Sequence, residues 1–437
     1  MTGTEDATPV DKPGTGRGWI VAATVIGTTI EWYDFFIYGT AAALVFNKII
    51  FPTFDPVAGT MAAFATFAIG LIVRPFGGII FGHFGDRVGR KTTLMVTLLL
   101  MGIPTTLIGL VPTYNSIGLW AAAILVTLRI LQGFALGGEW GGAVLMAVEH
   151  APKSQRAFYG ALPQAGIAAG LLLSSLAFAF VSHLSESSFL TWGWRLPFLS
   201  SIILVVVGVL TRWKIAESPA FLAVEQTGQK VALPGVTVIK HHWRALLLGI
   251  GAKLGEVTLF YLATVFALSY ATTNLGMPRQ QVLNAIMIAA ALACVTIPLF
   301  GVIGDRFGQR RVFALGALYL AAFAVPMFWM MDSRQPTLFL LAVIGALAIC
   351  QPAMYALLPS LFAAQFPAEI RCSGVSLCFQ IAAAIGGGVA PIVATLLLVR
   401  FGTTLPIAAY LVALGLLAVI CAMSMRPVQG AALHGPA

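Results

Sequence analysis

The sequence predicts an all-α membrane protein in which twelve transmembrane helices form two duplicated bundles of six. Only 9% of the 437 residues are charged and 59% are hydrophobic, whereas an ordinary soluble domain carries about 25% charged residues. Apolar stretches recur from Trp19 almost to Met425 with short polar breaks between them. A charged loop motif also occurs twice, once in each half. This composition excludes a water-soluble enzyme and indicates that lipid surrounds most of the chain.

Each apolar stretch is long enough to cross a hydrocarbon core of about 30 Å as a helix. The stretches lie at about 18–46, 59–81, 92–111, 118–148, 157–182, 192–213, 244–272, 281–304, 311–331, 337–365, 372–399 and 404–425. The longest polar break separates the first six from the last six. We therefore expect a disordered N-terminus at 1–17, an N-terminal six-helix bundle at 18–213, a linker at 214–243, a C-terminal six-helix bundle at 244–425 and a tail at 426–437.

An internal repeat supports the division into two halves. A Gly-Asp-Arg-x-Gly motif follows the second span around Asp86 and the eighth span around Asp305, and these two residues are 219 positions apart. A weaker repeat links 152–156 with 367–371 at a separation of 215 positions. Parallel repeats of this kind are related by an axis along the membrane normal, and the substrate site lies between them near the midplane.

The basic residues predict the orientation of the chain. If the N-terminus is placed inside the cell, seventeen of the 25 Lys and Arg residues fall on the inner side: Lys12, Arg17, Arg87, Arg90, Lys91, Lys153, Arg156, Arg212, Lys214, Lys230, Lys240, Arg244, Arg306, Arg310, Arg311, Arg371 and Arg426. Five fall outside: Lys48, Arg195, Arg279, Arg334 and Arg400. An excess of this kind is the positive-inside signal. We therefore expect both termini and the linker in the cytoplasm, and we attribute the net charge of +9 to topology and not to a nucleic-acid partner.

Several motifs resemble those of a known family of transporters. The Gly-Asp-Arg-x-Gly-Arg-Lys loop and the segment from Arg129 to Glu139 resemble two signatures of the major facilitator superfamily. Four further motifs resemble its branch of bacterial metabolite:proton symporters: Glu31-Trp-Tyr-Asp-Phe, Arg74-Pro-Phe-Gly-Gly, Gly137-Gly-Glu-Trp-Gly-Gly and Trp192-Gly-Trp-Arg-Leu-Pro-Phe. The resemblance covers nearly all twelve spans. It implies the major facilitator fold and uptake of a small organic acid, such as shikimate or a related carboxylate, together with protons.

Charged side chains within the apolar spans are the candidate functional residues. A charge at the bilayer centre costs about 3 kcal/mol on insertion scales, so it usually has a partner and a task. The candidates are Glu31, Asp34, Arg74, Arg129, Glu139, Lys253 and Glu256. Glu31 and Asp34 are three residues apart, as are Lys253 and Glu256, so each pair shares one helical face. The second pair lies 222 positions beyond the first, and the same offset carries Arg129 onto Gln351.

Charge complementarity suggests a role for each of these groups. Arg129 offers a planar fork suited to a carboxylate and Lys253 a mobile point charge, so together they are expected to bind an organic anion. Burial favours a neutral carboxyl group and a neighbouring cation favours an ionised one, so Glu31 and Asp34 are the expected proton carriers. The remaining expected contacts of the substrate site are Glu256, Gln351, Tyr38, Tyr261 and Tyr355.

Structural roles remain open for the same residues. Arg129 and the first-span carboxylates are also compatible with an ion pair that locks helices together, and Lys253 with Glu256 is compatible with a mutual pair without a ligand. Glu139 lies among glycines that permit close helix contact, which favours packing or gating. Arg74 precedes Pro75 at an expected helix distortion, a position that fits substrate contact as well as a role in gating or structure.

The charges of the repeated loop are expected to act on conformation. The resemblance implies that Asp86, Arg87, Arg90, Asp305 and Arg306 form a cytoplasmic latch in which loop charges interact with helix ends. The basic members also fit a role in topology alone, and the two roles are compatible.

Cofactor patterns are not found in the sequence. It contains no Gly-x-x-x-x-Gly-Lys-Ser/Thr loop, and its five cysteines are scattered without the clustering of metal ligands. We therefore expect no cofactor and no metal. The family resemblance implies transport driven by the proton gradient, and we expect a monomer in the bacterial inner membrane. The alternatives are uptake of a zwitterion of the betaine or proline type, a passive uniporter, and a membrane metabolite sensor.

Overall fold

The computed structural model describes residues 17–88, 90–137, 140–149, 151–213, 234–367 and 370–426. Nearly all of these residues are helical, and no strand occurs among them. The predicted N-terminal segment lies almost wholly outside the described residues, as do most of the linker and most of the tail.

The N-terminal half of the described chain contains six long helices. They are α1 (Arg17–Leu44), α2 (Pro56–Phe81), α3 (Arg90–Ile108), α4 (Trp120–Gly137, resuming as Trp140–Glu149), α5 (Arg156–Val181) and α6 (Glu186–Leu210). Asp55 caps α2, because its carboxylate accepts hydrogen bonds from the backbone N–H groups of Val57 and Ala58.

The C-terminal half also contains six long helices. They are α7 (Trp243–Thr273), α8 (Arg279–Phe307), α9 (Gln309–Asp332), α10 (Pro336–Ala363), α11 (Arg371–Phe401) and α12 (Leu405–Ser424). Ten helices of the described part are long and apolar enough to cross a membrane, and α3 contributes a shorter apolar stretch, Met95–Ile108. The prediction of an all-helical membrane protein with twelve long helices is confirmed.

Several helices change geometry where they approach the centre of the molecule. The α2 helix is interrupted at Val73, immediately before Arg74 and Pro75, because proline removes a backbone donor and crowds the preceding turn. Short π-helical turns occur in α7 (Leu262–Phe266), α10 (Gly345–Cys350) and α11 (Ala383–Gly388). Turns of this type are frequent at functional sites.

The two halves meet most extensively along α5 and α8. A β-carbon built on Gly301 of α8 would lie 2.9 Å from the Cα atom of Phe158 in α5 and 3.0 Å from the carbonyl oxygen of Ala157. Glycine is therefore required at position 301 for the two backbones to approach this closely.

One end of this interface is held by a helix cap that crosses between the halves. The Asp305 carboxylate of α8 accepts hydrogen bonds of 2.9 Å from the backbone N–H groups of both Ala157 and Phe158 at the start of α5. A carboxylate at a helix N-terminus satisfies free N–H groups and complements the helix dipole. The cap therefore joins the halves at this end.

Ion pairs hold the opposite end. Glu186, at the start of α6, accepts from the Nζ atom of Lys48 at 2.8 Å and from the Nη1 atom of Arg279 at 2.9 Å. Arg279, at the start of α8, also donates to Ser182 and stacks over the Phe189 ring at 3.7 Å. The two halves are thus in contact at both ends.

Candidate functional site

Arg129 of α4 is fully buried at the centre of the N-terminal half. Its Nη1 atom donates to the Oε1 atom of Gln132 at 3.1 Å, whereas its Nε and Nη2 atoms have no hydrogen-bond partner. Gly70 of α2 makes room for it, since a β-carbon there would lie 2.3 Å from the Nε atom of Arg129. The guanidinium group therefore keeps part of its hydrogen-bonding capacity.

Aromatic rings surround this guanidinium. Its Cζ atom lies 4.1 Å from the ring centroid of Tyr38, 4.3 Å from that of Phe35 and 5.1 Å from that of Phe67. The Tyr38 hydroxyl donates to the Oγ1 atom of Thr66 at 2.7 Å. Cation–π contacts at a buried site with little water offset part of the free-energy cost of burying the guanidinium charge.

Arg74 of α2 is a second buried guanidinium in the same half. It is 1% exposed, and its Cζ atom lies 4.3 Å from the Phe35 centroid and 5.1 Å from the Trp32 centroid. Its Nε and Nη2 atoms also lack hydrogen-bond partners. No ion pair between described residues involves Arg74 or Arg129.

Asp34 and Glu31 of α1 are buried, at 1% and 6% exposure. The Ser201 hydroxyl of α6 donates to the Asp34 carboxylate, and the Thr105 side chain of α3 contacts the same carboxylate. Asp34 is thus a buried carboxyl group that faces hydroxyl groups, with no cation bonded to it among the described residues.

Two hydrogen bonds lead from Arg129 to Thr105, which lies beside Asp34. Gln132 accepts from Arg129 with its carbonyl oxygen and donates from its Nε2 atom to the Oγ1 atom of Thr105 at 2.6 Å. Thr105 in turn contacts Asp34. Neutral polar side chains therefore link the candidate substrate-binding and proton-carrying groups of the N-terminal half.

The C-terminal half contributes a buried ion pair. Lys253 and Glu256 of α7 are 1% and 2% exposed, and the Nζ atom of Lys253 donates to the Oε2 atom of Glu256 at 2.9 Å. Gln351 of α10 donates from its Nε2 atom to the other carboxylate oxygen at 3.1 Å. The sequence-predicted trio of Lys253, Glu256 and Gln351 therefore forms one network.

Aromatic rings also cover the Lys253 ammonium group. Its Nζ atom lies 3.9 Å from the Phe379 centroid and 5.0 Å from the Tyr355 centroid. The Phe379 ring also stacks on Trp140 of α4, with 3.6 Å between the two ring centroids. The same side chain therefore touches the C-terminal cation and the N-terminal half.

Polar groups close the interface around this stack. Trp140 donates from its Nε1 atom to Gln164 at 3.0 Å, Gln164 donates to the Tyr355 carbonyl oxygen at 3.4 Å, and Gln380 donates to the Gly137 carbonyl oxygen at 3.2 Å. Helices α4 and α5 are thereby fastened to α10 and α11.

The predicted residues of the two halves converge on one central region. Tyr261 of α7 lies against Phe67 and Phe35, with centroids 5.5 and 6.3 Å apart. Arg74 is close enough to Lys253 for direct electrostatic interaction. Two small cavities border this region, one lined by Gln351, Tyr355 and Phe260 among others and the second by Phe36, Thr40 and Thr264 among others. Each has room for about one water molecule.

Other predicted residues lie away from this centre or outside the described part. Asp305 caps α5, and Arg306 is exposed at the end of α8. The side chains of Asp86, Arg87 and Arg90 lie outside the described part of the structure, as does the whole of Glu139. Among the described residues, no group of three or more His, Cys, Asp or Glu side chains is arranged to hold a metal ion.

Sequence reasoning missed several members of the site. Gln132 lies three residues after Arg129, so its position on the same helical face was a signal that could have identified it. Thr105, Ser201 and Phe379 occur in apolar spans where hydroxyl and phenyl groups are common, and nothing in the sequence distinguishes them. Glu186, which joins the halves at one end, is one of few acidic residues in the short loops.

Family models match both halves of the chain. Residues 19–236 match the model described as "Sugar (and other) transporter", and residues 250–436 match the model described as "Major Facilitator Superfamily".

Individual proteins also resemble this chain over most of its length. It is 42% identical over 409 residues to the shikimate transporter of Escherichia coli (strain K12), a match that covers 93% of each chain. It is 40% identical over 407 residues to an inner membrane metabolite transport protein of the same strain, covering 91% of each. It is 33% identical over 444 residues to the proline/betaine transporter of that strain, covering 98% of this chain and 87% of the relative.

Solved structures share the fold at low identity. A crystal structure of a D-xylose–proton symporter matches 95% of this chain and 99% of its own, with a TM-score of 0.72 and 19% identity. A partially occluded, inward-open conformation of the xylose transporter from E. coli matches 94% of this chain and 98% of its own, with a TM-score of 0.73 and 18% identity. At these identities the likeness establishes the fold alone.

Proposed function

The chain belongs to the major facilitator superfamily of transporters, and we propose that it is a proton-coupled symporter that takes up a small organic acid by alternating access. The substrate is shikimate or a related carboxylate, in keeping with the 42% identity to a shikimate transporter. The two halves rock around a site between them.

The observation that carries this proposal is the state of Arg129. It is fully buried, and its Nε and Nη2 atoms have no protein acceptor. A buried charged donor without a partner costs more than about 1–3 kcal/mol. A substrate carboxylate supplies the missing acceptors, and a guanidinium group binds a carboxylate through two parallel hydrogen bonds.

Asp34 carries the transported proton in this mechanism. It lies beside Thr105, and hydrogen bonds through Gln132 join Thr105 to Arg129. Binding of an anion at Arg129 changes the field at Asp34, and protonation of Asp34 changes the affinity for the anion by the same coupling free energy. Glu31, three residues earlier on α1, is a second carboxyl group available for proton transfer.

The C-terminal half completes the site through Lys253, Glu256 and Gln351. Glu256 neutralises Lys253. When the substrate enters, Lys253 exchanges part of this pairing for the anion. Tyr38, Tyr261 and Tyr355 contribute aromatic surface around the ligand, and Asp305 and Arg306 act in gating or structure.

The proposed setting is the inner membrane of a bacterium, with both termini in the cytoplasm. The basic residues of the loops and the inner-membrane relative support this orientation. The two bundles at 18–213 and 244–425 act as the moving bodies, the cytoplasmic linker connects them, and one chain suffices for transport. The proton gradient is the energy source, and no cofactor takes part.

A zwitterion of the betaine or proline type is the second candidate substrate. The chain is 33% identical to a proline/betaine transporter. The rings of Trp32, Phe35, Phe36 and Phe260 cluster near the centre, and aromatic cages recognise quaternary ammonium groups.

Uptake by purified protein in proteoliposomes tests the proposal. Radiolabelled shikimate, quinate, benzoate, glycine betaine and proline are offered separately, with and without an inward proton gradient. We expect one of the acids to accumulate above equilibrium only when the gradient is present. Arg129→Ala should abolish this uptake, and the matched variant Arg244→Ala, at an exposed arginine, should retain it.

Each rival function gives a different result. Accumulation of betaine or proline without any acid would establish the zwitterion carrier. Equilibration that ignores the proton gradient would establish a uniporter. Binding without transport of any of the five compounds would be the behaviour of a sensor and would refute the proposal.

A further inference from the structure

Arg74 has the same unusual environment as Arg129, although its position beside Pro75 also fits a role in gating or structure. It is 1% exposed, it has no ion-pair partner among the described residues, and its Nε and Nη2 atoms have no acceptor. A purely structural buried arginine is normally bonded to acceptors along its fork. Arg371 illustrates this, since it is 2% exposed and its Nε atom donates to the Phe366 carbonyl oxygen at 3.2 Å.

The two buried guanidinium groups share one phenyl ring. The Cζ atoms of Arg74 and Arg129 each lie 4.3 Å from the Phe35 centroid, so they are separated by no more than twice that distance. The two groups also interact electrostatically with each other. Two like charges held this close in a water-poor region favour a ligand of opposite charge.

The unpartnered atoms are the same pair in both residues. In each guanidinium, the Nε–H and Nη2–H groups form the side edge, which can bind the two oxygens of a carboxylate in parallel. Arg74 and Arg129 together present four unpartnered nitrogen atoms, and an ionised carboxylate has about four lone-pair acceptor sites. Gly70 packs beside the Nε atom of Arg129, so binding of a ligand at this edge requires the guanidinium to move away from α2.

Electrostatics limits the class of ligand. Lys253 already has Glu256 as a counterion, whereas Arg74 and Arg129 have none among the described residues. A substrate with a net negative charge neutralises part of this excess. A betaine has no net charge, and its ammonium group would lie near two guanidinium groups that repel it.

We infer that Arg74 is a substrate-binding residue that holds the acid group of the ligand together with Arg129, and that the site selects net anionic carboxylates over zwitterions. This inference rests on the proposed function and names the class of substrate for the same site. The observation behind it is the pair of side edges without acceptors on either guanidinium, next to one shared ring.

The test compares each acid with its uncharged methyl ester. Dissociation constants of shikimate, quinate and benzoate, of their methyl esters and of glycine betaine are measured by calorimetry on purified wild-type protein, Arg74→Gln and Arg74→Lys. We expect wild type to prefer an acid over its ester. In Arg74→Gln the affinity for the acid should fall at least about tenfold while that for the ester changes little, and Arg74→Lys should recover only part of the loss.

Arg195→Gln is the control, because it removes an arginine that bonds to the Gly109 carbonyl oxygen and lies outside the proposed site. It should alter thermal stability without changing the ratio of acid to ester affinity. A structural role for Arg74 predicts this same pattern, with equal losses for acid and ester. If Arg74→Gln is not monodisperse, the ratio in Arg74→Lys decides: a smaller preference for the acid supports the inference, and a wild-type preference refutes it.

The outcomes separate this inference from the proposed function. Wild-type protein that transports an acid, combined with an unchanged acid-to-ester ratio in the Arg74 variants, would overturn the role of Arg74 alone. Preference of wild type for glycine betaine over every acid would overturn the anionic class. Absence of binding for all of the acids would overturn the proposed function together with this inference.

Discussion

At the scale of single residues, Asp34 is the group through which we expect the proton gradient to act. Asparagine in its place keeps a hydrogen-bond acceptor for Ser201 but cannot release or take up a proton. Asp34→Asn should therefore still exchange substrate across the membrane while losing accumulation driven by an inward proton gradient. Counterflow and gradient-driven uptake in proteoliposomes measure the two activities separately.

Asp332→Asn is the matched control for this prediction. The Asp332 carboxylate also accepts from two hydroxyl groups, those of Tyr270 at 2.8 Å and Thr404 at 2.6 Å, but it lies at an end of the helix bundle. This variant should retain accumulation. Wild-type accumulation by Asp34→Asn would remove Asp34 from the proton path and leave Glu31 as the carrier.

Lys253 and Glu256 should stabilise the folded protein only when both charges are present. Lys253→Met leaves the buried Glu256 carboxylate with Gln351 alone, and removing one partner of a buried ion pair costs about 3–5 kcal/mol. Adding Glu256→Gln removes the remaining charge, so the double variant should regain most of the lost stability. Thermal unfolding in detergent, arranged as a double-mutant cycle, measures this coupling. Additive losses would show that the two charges do not stabilise each other.

The charged residues of the site could be predicted from sequence, whereas their neutral partners could not. Arg129 and Lys253 are conspicuous because a charge in an apolar span is costly, and both are buried. Lys253 lies beside its predicted partner Glu256, whereas Arg129 bonds to Gln132, which the sequence analysis did not single out. Thr105 and Ser201 carry no such cost, because a hydroxyl group in a membrane helix bonds readily to its own backbone. Thr105 does so, with its Oγ1 atom 2.8 Å from the Met101 carbonyl oxygen.

At the scale of helices, the interface between α5 and α8 should respond to a single added methyl group. Gly301→Ala would set a β-carbon 2.9 Å from the Phe158 Cα atom and 3.0 Å from the Ala157 carbonyl oxygen, where backbone must shift. The change should weaken the cap that Asp305 provides and favour opening at that end. An engineered cysteine at Ala161, which faces Gly301, should react faster with a maleimide in this variant.

Gly235→Ala is the control, since a β-carbon there meets only the Leu377 side chain at 4.0 Å. It should leave the reaction rate unchanged. An unchanged rate in Gly301→Ala as well would mean that α5 and α8 absorb the methyl group without separating.

Helix geometry was less predictable than helix number. Hydropathy gave α7, α10 and α11 as continuous apolar spans, because a π-helical turn changes the backbone pattern without changing composition. The turn at Ala383–Gly388 places Gly387 against the Tyr261 ring, where a β-carbon would lie 2.4 Å from the ring. Such a contact depends on the tertiary approach of two helices. Pro75, in contrast, marks a local constraint, and the break in α2 lies next to it.

At the scale of the whole molecule, duplication explains why the order of the helices could be predicted while the conformational state could not. Hydropathy and the repeated loop motif fix the number of spans and the division into halves. Which end is closed depends on small differences between many contacts, such as the Asp305 cap at one end and the Glu186 ion pairs at the other. Exposed ion pairs contribute only about 0–1 kcal/mol each, so a ligand or a proton can shift the balance between the ends.

The orientation of the molecule is the prediction that the basic residues make for the whole chain. Lys48, Glu186 and Arg279 meet at one end, and the loops assigned to the opposite end carry most of the lysine and arginine residues. In a variant whose five native cysteines are alanine, Ser187→Cys should react with an impermeant maleimide on intact spheroplasts. Lys240→Cys should react only after permeabilisation. Both positions are exposed, so burial does not confound the comparison, and the reverse pattern would invert the topology together with the assignment of the Asp305 cap to the cytoplasmic side.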